Sequence, residues 1–85
     1  MITTASIKAR LKADAQCERI ALFLCTTEGD QGESGEAINE RGELVGWWLF
    51  PDGHLDIRPY RLDEVDPAFL EDREYFAARA EVGLG

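Results

Sequence analysis

His54 and Asp56 stand two apart in the stretch HLDIR. That spacing puts both side chains on one face of a strand, where an imidazole beside a carboxylate can move protons. His54 is the only histidine in the chain, and no serine is placed to complete a nucleophilic triad with it. Cys25 lies in the apolar run IALFLC and reads as a buried, inert thiol. Cys17 precedes it by eight residues, which in a strand spans ~26 Å, far beyond disulfide reach. Gly-rich phosphate loops, Cys-x-x-Cys pairs and zinc-ligand spacings are lacking. Carboxylates are numerous enough to leave a glycosidase-like pair open. A chain this short, however, rarely encloses a substrate pocket of the usual ~300 Å³ or more. The expectation is a non-enzymatic protein without a cofactor.

The acids suggest two other chemistries. Glu28, Asp30, Glu33, Glu36, Glu40 and Glu43 follow one another closely, and Asp63, Glu64, Asp66, Glu71, Asp72 and Glu74 form a second group. A calcium loop beginning at Glu28 would put Gly32 at its fifth position and Asn39 at its twelfth, so the ligand pattern fails and no metal site is expected. The alternative is a carboxylate array that imitates nucleic-acid phosphates in a Lys/Arg-lined groove. Plain solvation of the surface is the competing explanation.

Trp48, Phe50, Arg58 and Tyr60 are of the types enriched at binding hot spots. Arg58 can also stack on Trp48 as a structural cation–π contact. Whether these residues serve a partner depends on the elements that hold them.

Residues 4 to 15 read as a helix, with Thr and Ser hydroxyls at its start and Ile7 and Leu11 as its buried stripe. RIALFLCTT, residues 19 to 27, is apolar on both parities, with Ile20, Leu22 and Leu24 on one face and Ala21, Phe23 and Cys25 on the other. Such a run predicts a central strand covered on both sides. EGDQGESGE, residues 28 to 36, predicts a mobile loop, and AINE a short strand after it. GELVGWWLF and HLDIRPY are strands joined by the turn PDG. Asp66-Pro67 opens a last helix, with Phe69, Phe76, Ala77, Ala80 and Leu84 on one arc and an end near Gly83.

Pro51 sets the hairpin register. In a two-residue loop it would face His54 in a pair that exchanges two backbone hydrogen bonds, and proline has no N–H to give. A three-residue loop of Pro51, Asp52 and Gly53 removes the conflict. Phe50 then pairs with His54, Leu49 with Leu55 and Trp47 with Ile57. Val45, Trp47, Leu49, Leu55 and Ile57 share the core face, and Leu44, Trp48, Phe50, His54, Asp56, Arg58 and Tyr60 share a mixed one. Either the C-terminal helix lies across Trp48 and Phe50, or a partner does.

The predicted architecture is a single α+β domain over residues 1–85, in the order α-β-β-β-β-α. Its sheet is mainly antiparallel, with a C-terminal three-strand meander and two helices packed on it. The net charge is −8, split as +2 over residues 1 to 19 and −10 over residues 20 to 85. Such a surface repels nucleic acid and anionic membrane and draws in basic protein surfaces. The basic edge of Lys8, Arg10 and Lys12 is too small for a nucleic-acid footprint and reads as a partner for acids of the same molecule or of a dimer. The N-terminus has no apolar signal segment, so the cytoplasm is the expected compartment. The functional expectation is an acidic inhibitor or adaptor that engages a basic surface of a nucleic-acid-handling protein. Small phage-borne anti-CRISPR and DNA-mimic inhibitors share this size and charge. A toxin-neutralising immunity protein or antitoxin, or a homodimeric module using the mixed face as its seam, are the alternatives.

Overall fold

A computed structural model describes residues 4–27, 29–60, 68 and 71–85. Helix α1 (Thr4–Ala15) is followed by strands β1 (Ile20–Thr27), β2 (Glu33–Asn39), β3 (Leu44–Leu49) and β4 (Leu55–Tyr60), then by helix α2 (Arg73–Glu81). The four strands form one antiparallel sheet in the order β1-β2-β3-β4. The α+β class, the element order and the antiparallel meander are those the sequence predicts.

The helices take opposite faces of the sheet. Ile7 and Leu11 of α1 pack with Ile20, Ala37, Trp47, Leu49 and Leu55. Tyr75, Ala78 and Val82 of α2 pack with Ala21, Phe23, Ile38 and Leu44 on the other side. This explains the unbroken apolar run of β1 and corrects its expected place. The strand lies at the edge of the sheet, not the centre, and it is apolar on both parities because α1 and α2 both cover it. Lys8 of α1 reaches Glu81 of α2 at 3.5 Å, an ion pair between the helices of the two layers.

A bulge alters the far end of β1. Phe23 pairs with Glu36 and Thr26 with Ser34, so Leu24 and Cys25 together oppose Gly35. Leu24 adopts φ 52°, in the left-handed region, and packs with the α2 cluster, on the same side as Phe23. Cys25 is consequently exposed, where the alternation of the run predicts burial, and both cysteines are free.

The segment expected to be a loop is strand over residues 33–36. β2 begins at Glu33, after a 3₁₀ turn at Gly29–Gln31, and pairs on both sides. Its glycine has a packing reason: a Cβ at Gly35 would come within 2.7 Å of Cζ2 of Trp47, so the absent side chain makes room for the indole.

Both helices end in left-handed residues that satisfy their last carbonyls. In α2, Gly83 (φ 89°) donates to Ala80 O and Leu84 to Arg79 O, while Leu84 packs on the adjoining core. At the start of α2, Asp72 accepts from Glu74 N at 2.8 Å. The expected start at Asp66-Pro67 lies outside the described residues, as does Phe69. The buried stripe is Tyr75, Ala78 and Val82, one position round from the predicted arc, and Phe76 is 54% exposed. Tyr75 is accepted inside because Arg79 donates to its hydroxyl at 3.2 Å and sits over its ring. Among the described residues no helix is long and apolar enough to cross a membrane.

Candidate functional site

The β3–β4 hairpin has the register that Pro51 dictates. Leu49 pairs with Leu55, Trp48 with Asp56 and Trp47 with Ile57. Phe50 N donates to His54 O, Gly53 N donates to Phe50 O, and Gly53 takes φ 92°. Trp47 is therefore in the core, and Trp48 lies half-buried on the mixed face.

Three cross-strand rows build that face. Ser34, Trp48 and Asp56 form one, Glu36, Gly46 and Arg58 the next, and Ile38, Leu44 and Tyr60 the third. Helix α2 packs over β1 and β2, at the opposite side of the sheet from β4. It covers Ile38 and Leu44, and the first two rows stay open among the described residues. The rings of Trp48, Phe50 and His54 stack in succession at 5.9 and 5.8 Å, with Phe50 39% exposed. Trp48 is fixed by its indole N–H, which donates to Gln31 O at 2.8 Å.

Gly46 shapes the middle row. A Cβ there would lie 2.5 Å from the Tyr60 hydroxyl oxygen, so the tyrosine ring leans over the bare backbone. Glu36 and Arg58 flank that gap on the neighbouring strands. Being two strands apart they are separated by roughly 9.5 Å of sheet, and no ion pair joins them among the described residues. The result is an open concavity of about 460 Å³, bounded by Glu36, Trp48, Asp56, Arg58 and Tyr60.

Glu36 is the unusual group. Its Oε2 is buried and has no hydrogen-bond partner. Burial alone raises its pKa from 4.5 to about 7, since no cation offsets the lost hydration. Tyr60 is also raised, first by burial and then by the Glu36 charge. Arg58 makes no cation–π contact with Trp48; the contact of that kind among the described residues is Arg79 over Tyr75.

The other acids expected to form one array are dispersed. Glu28 lies outside the described residues. Asp30 is exposed on the 3₁₀ turn and Glu33 exposed at the start of β2. Glu40 accepts from the backbone N–H groups of Glu18 and Arg19, which hold its pKa low. Glu43 accepts from Asn39 and then Arg41, with the same effect on its pKa. Arg41 also donates to Ala15 O at the end of α1 and to Gln16 O just beyond it, so this cluster ties the β2–β3 turn to the helix end. Glu40 and Glu43 thus hold the fold together, and Glu36 is the acid of this series that lines the concavity. The chain's pattern gave no sign of this, because Gly32 and Gly35 disguise β2 as loop. The paired register of Gly46 with Glu36 and Arg58 is the signal that locates it.

Among the described residues no group of three or more His, Cys, Asp or Glu is arranged to hold a metal ion. No family model, no curated protein and no solved structure matches this chain.

Proposed function

We propose that the protein is a non-enzymatic inhibitor or adaptor that docks a basic surface of a protein partner on the open half of its sheet. The observation that carries this reading is the set of incompletely covered aromatics on the mixed face. Trp48, Phe50 and Tyr60 stay partly exposed in a chain small enough to need every aromatic for its core. Trp48 and Tyr60 line a concavity that holds an acid without an ion-pair partner, Glu36. The net charge of −8 supplies long-range attraction, which salt weakens, and the aromatics supply short-range affinity. A nucleic-acid-handling protein is the partner class that best fits this charge, and a basic toxin neutralised by an immunity protein fits the same chemistry.

A second reading is favoured by the pKa of about 7 on Glu36, a value suited to general acid–base catalysis. The site is an open concavity rather than an enclosed pocket, which supports docking over catalysis. The test is affinity capture from the native host with wild type, W48A and Y60A, each at low and high salt. Docking predicts a basic nucleic-acid-binding protein or toxin that wild type retains at low salt, that high salt releases, and that the variants retain poorly. Recovery of the chain alone, or equal recovery by all three proteins, overturns it.

A further inference from the structure

We propose that the concavity over Gly46 receives a single arginine side chain of the partner, its guanidinium facing Glu36 and its plane lying against Trp48 between that ring and Tyr60. This deepens the docking reading and rests on it.

Three features select this guest. The first is space: with no side chain on Gly46, Tyr60 leans down onto the backbone, and an open concavity of about 460 Å³ is left beside it, lined by Trp48, Glu36 and Arg58. The second is charge. Glu36, Asp56 and Arg58 sum to one negative charge, which one monocation neutralises. Glu36 has the most to gain, being desolvated with one oxygen lacking any donor. The third is shape. Trp48 ends the ladder that runs from His54 through Phe50, and its indole is fixed through Gln31. A planar guanidinium extends such a ladder and meets a carboxylate with two donors, whereas an ammonium does neither.

Protonation of Glu36 competes with this guest. The titratable and charged groups that face Glu36 are Asp56, Arg58 and Tyr60, all on β4; β1 and β3 line the concavity with uncharged residues, and α2 contributes none. Only the ionised carboxylate accepts the guanidinium, and with a pKa of about 7 its ionised fraction rises from about a tenth at pH 6 to about nine-tenths at pH 8. Apparent affinity for an arginine guest should therefore rise roughly tenfold over that range.

The probes are Nα-acetyl-arginine N-methylamide, its lysine and glutamine counterparts, and the wild-type and E36Q chains. Binding is read from the Trp48 indole N–H resonance, one of two indole signals the chain can give. The arginine probe should shift that signal saturably, bind more tightly than the lysine and glutamine probes, and gain about tenfold between pH 6 and 8. In E36Q its affinity at pH 8 should fall at least tenfold and become independent of pH. Glutamine binding as tightly as arginine, an unchanged E36Q titration, or no response from Trp48 overturns the assignment. If the arginine probe behaves as expected while W48A and Y60A capture the same partner as wild type, the docking reading fails and the pocket stands. If capture needs Trp48 and Tyr60 but the probe does not bind, the docking reading stands and the guest is wrong.

Discussion

Replacing Glu36 by glutamine should make the protein more stable, and only above mildly acidic pH. The folded chain raises this carboxyl from 4.5 to about 7, so its charged form is poorly solvated in the native state and fully hydrated in the unfolded one. Stability is then highest below pH 4.5 as far as this group is concerned, falls as pH climbs from there toward 7, and levels off above it. Full linkage over that interval amounts to roughly 3.4 kcal/mol. The carboxyl is only half-buried, and screening by water reduces the expected effect to about 1.5 kcal/mol. E36Q removes the charge while keeping the shape. It should gain about 1.5 kcal/mol at pH 8 and under about 0.5 kcal/mol at pH 5, where much of the penalty has yet to develop. In an 85-residue domain the gain at pH 8 corresponds to a Tm rise of about 6–12 °C. Glu40 and Glu43 do not confuse the comparison. Their lowered pKa values place their loss of stability at more acid pH, as their carboxylates protonate. Urea unfolding of both chains at the two pH values, followed by tryptophan fluorescence, gives the numbers. A destabilised E36Q at pH 8 would show that the native carboxylate has a favourable partner and that the site is not starved of a cation, and an equal gain at both pH values would show that the gain does not come from ionisation of this carboxyl.

Three further substitutions test the packing that holds the site. G35A should cost about 1–3 kcal/mol, because its Cβ would meet the Trp47 indole at 2.7 Å inside the core; an unchanged urea midpoint would contradict the close approach. L11A should cost about 3 kcal/mol, since Leu11 is 1% exposed and with Ile7 makes the buried stripe of α1; a loss below about 1 kcal/mol would mean that the helix is loosely docked. G46A should change stability by no more than about 0.5 kcal/mol, since Tyr60 is 36% exposed and free to swing aside. Its mark is the loss of nuclear Overhauser contacts between the Tyr60 ring and residue 46, and contacts that persist would refute the account of the gap.

The parts of this fold legible in the sequence are those set by local chemistry. Thr4–Ala15 is a helix because its formers and its Ile7–Leu11 spacing agree. The hairpin register follows from one absent N–H on Pro51, and it carries the correct placement of Trp47 and Trp48 with it. What escaped is set by contacts distant in sequence. An apolar run covered on two sides looks the same at the centre of a sheet as at an edge sandwiched between helices, which is the case of β1. The bulge rests on Leu24 in a left-handed conformation that leucine seldom adopts, so no residue type announces it. Gly35 resembles loop punctuation until Trp47 is seen crossing it. In α2 the choice between Tyr75 and Phe76 as the inward ring went to the less apolar one, because Arg79 satisfies its hydroxyl. For the site, the aromatic and basic members of the mixed face were readable from strand parity. The position of Glu36 among them required the β2–β3 register, which the glycines concealed.

Hydroxyl-radical footprinting of the protein alone and in complex with its captured partner asks most directly whether the open sheet face is the binding surface. Phe76, exposed on the outer side of α2, serves as an internal reference. Docking on the open face predicts that oxidation of Trp48, Phe50 and Tyr60 falls at least several-fold in the complex while Phe76 continues to react. Protection of Phe76 with Trp48, Phe50 and Tyr60 still oxidised would place the partner on the helical side and contradict the account.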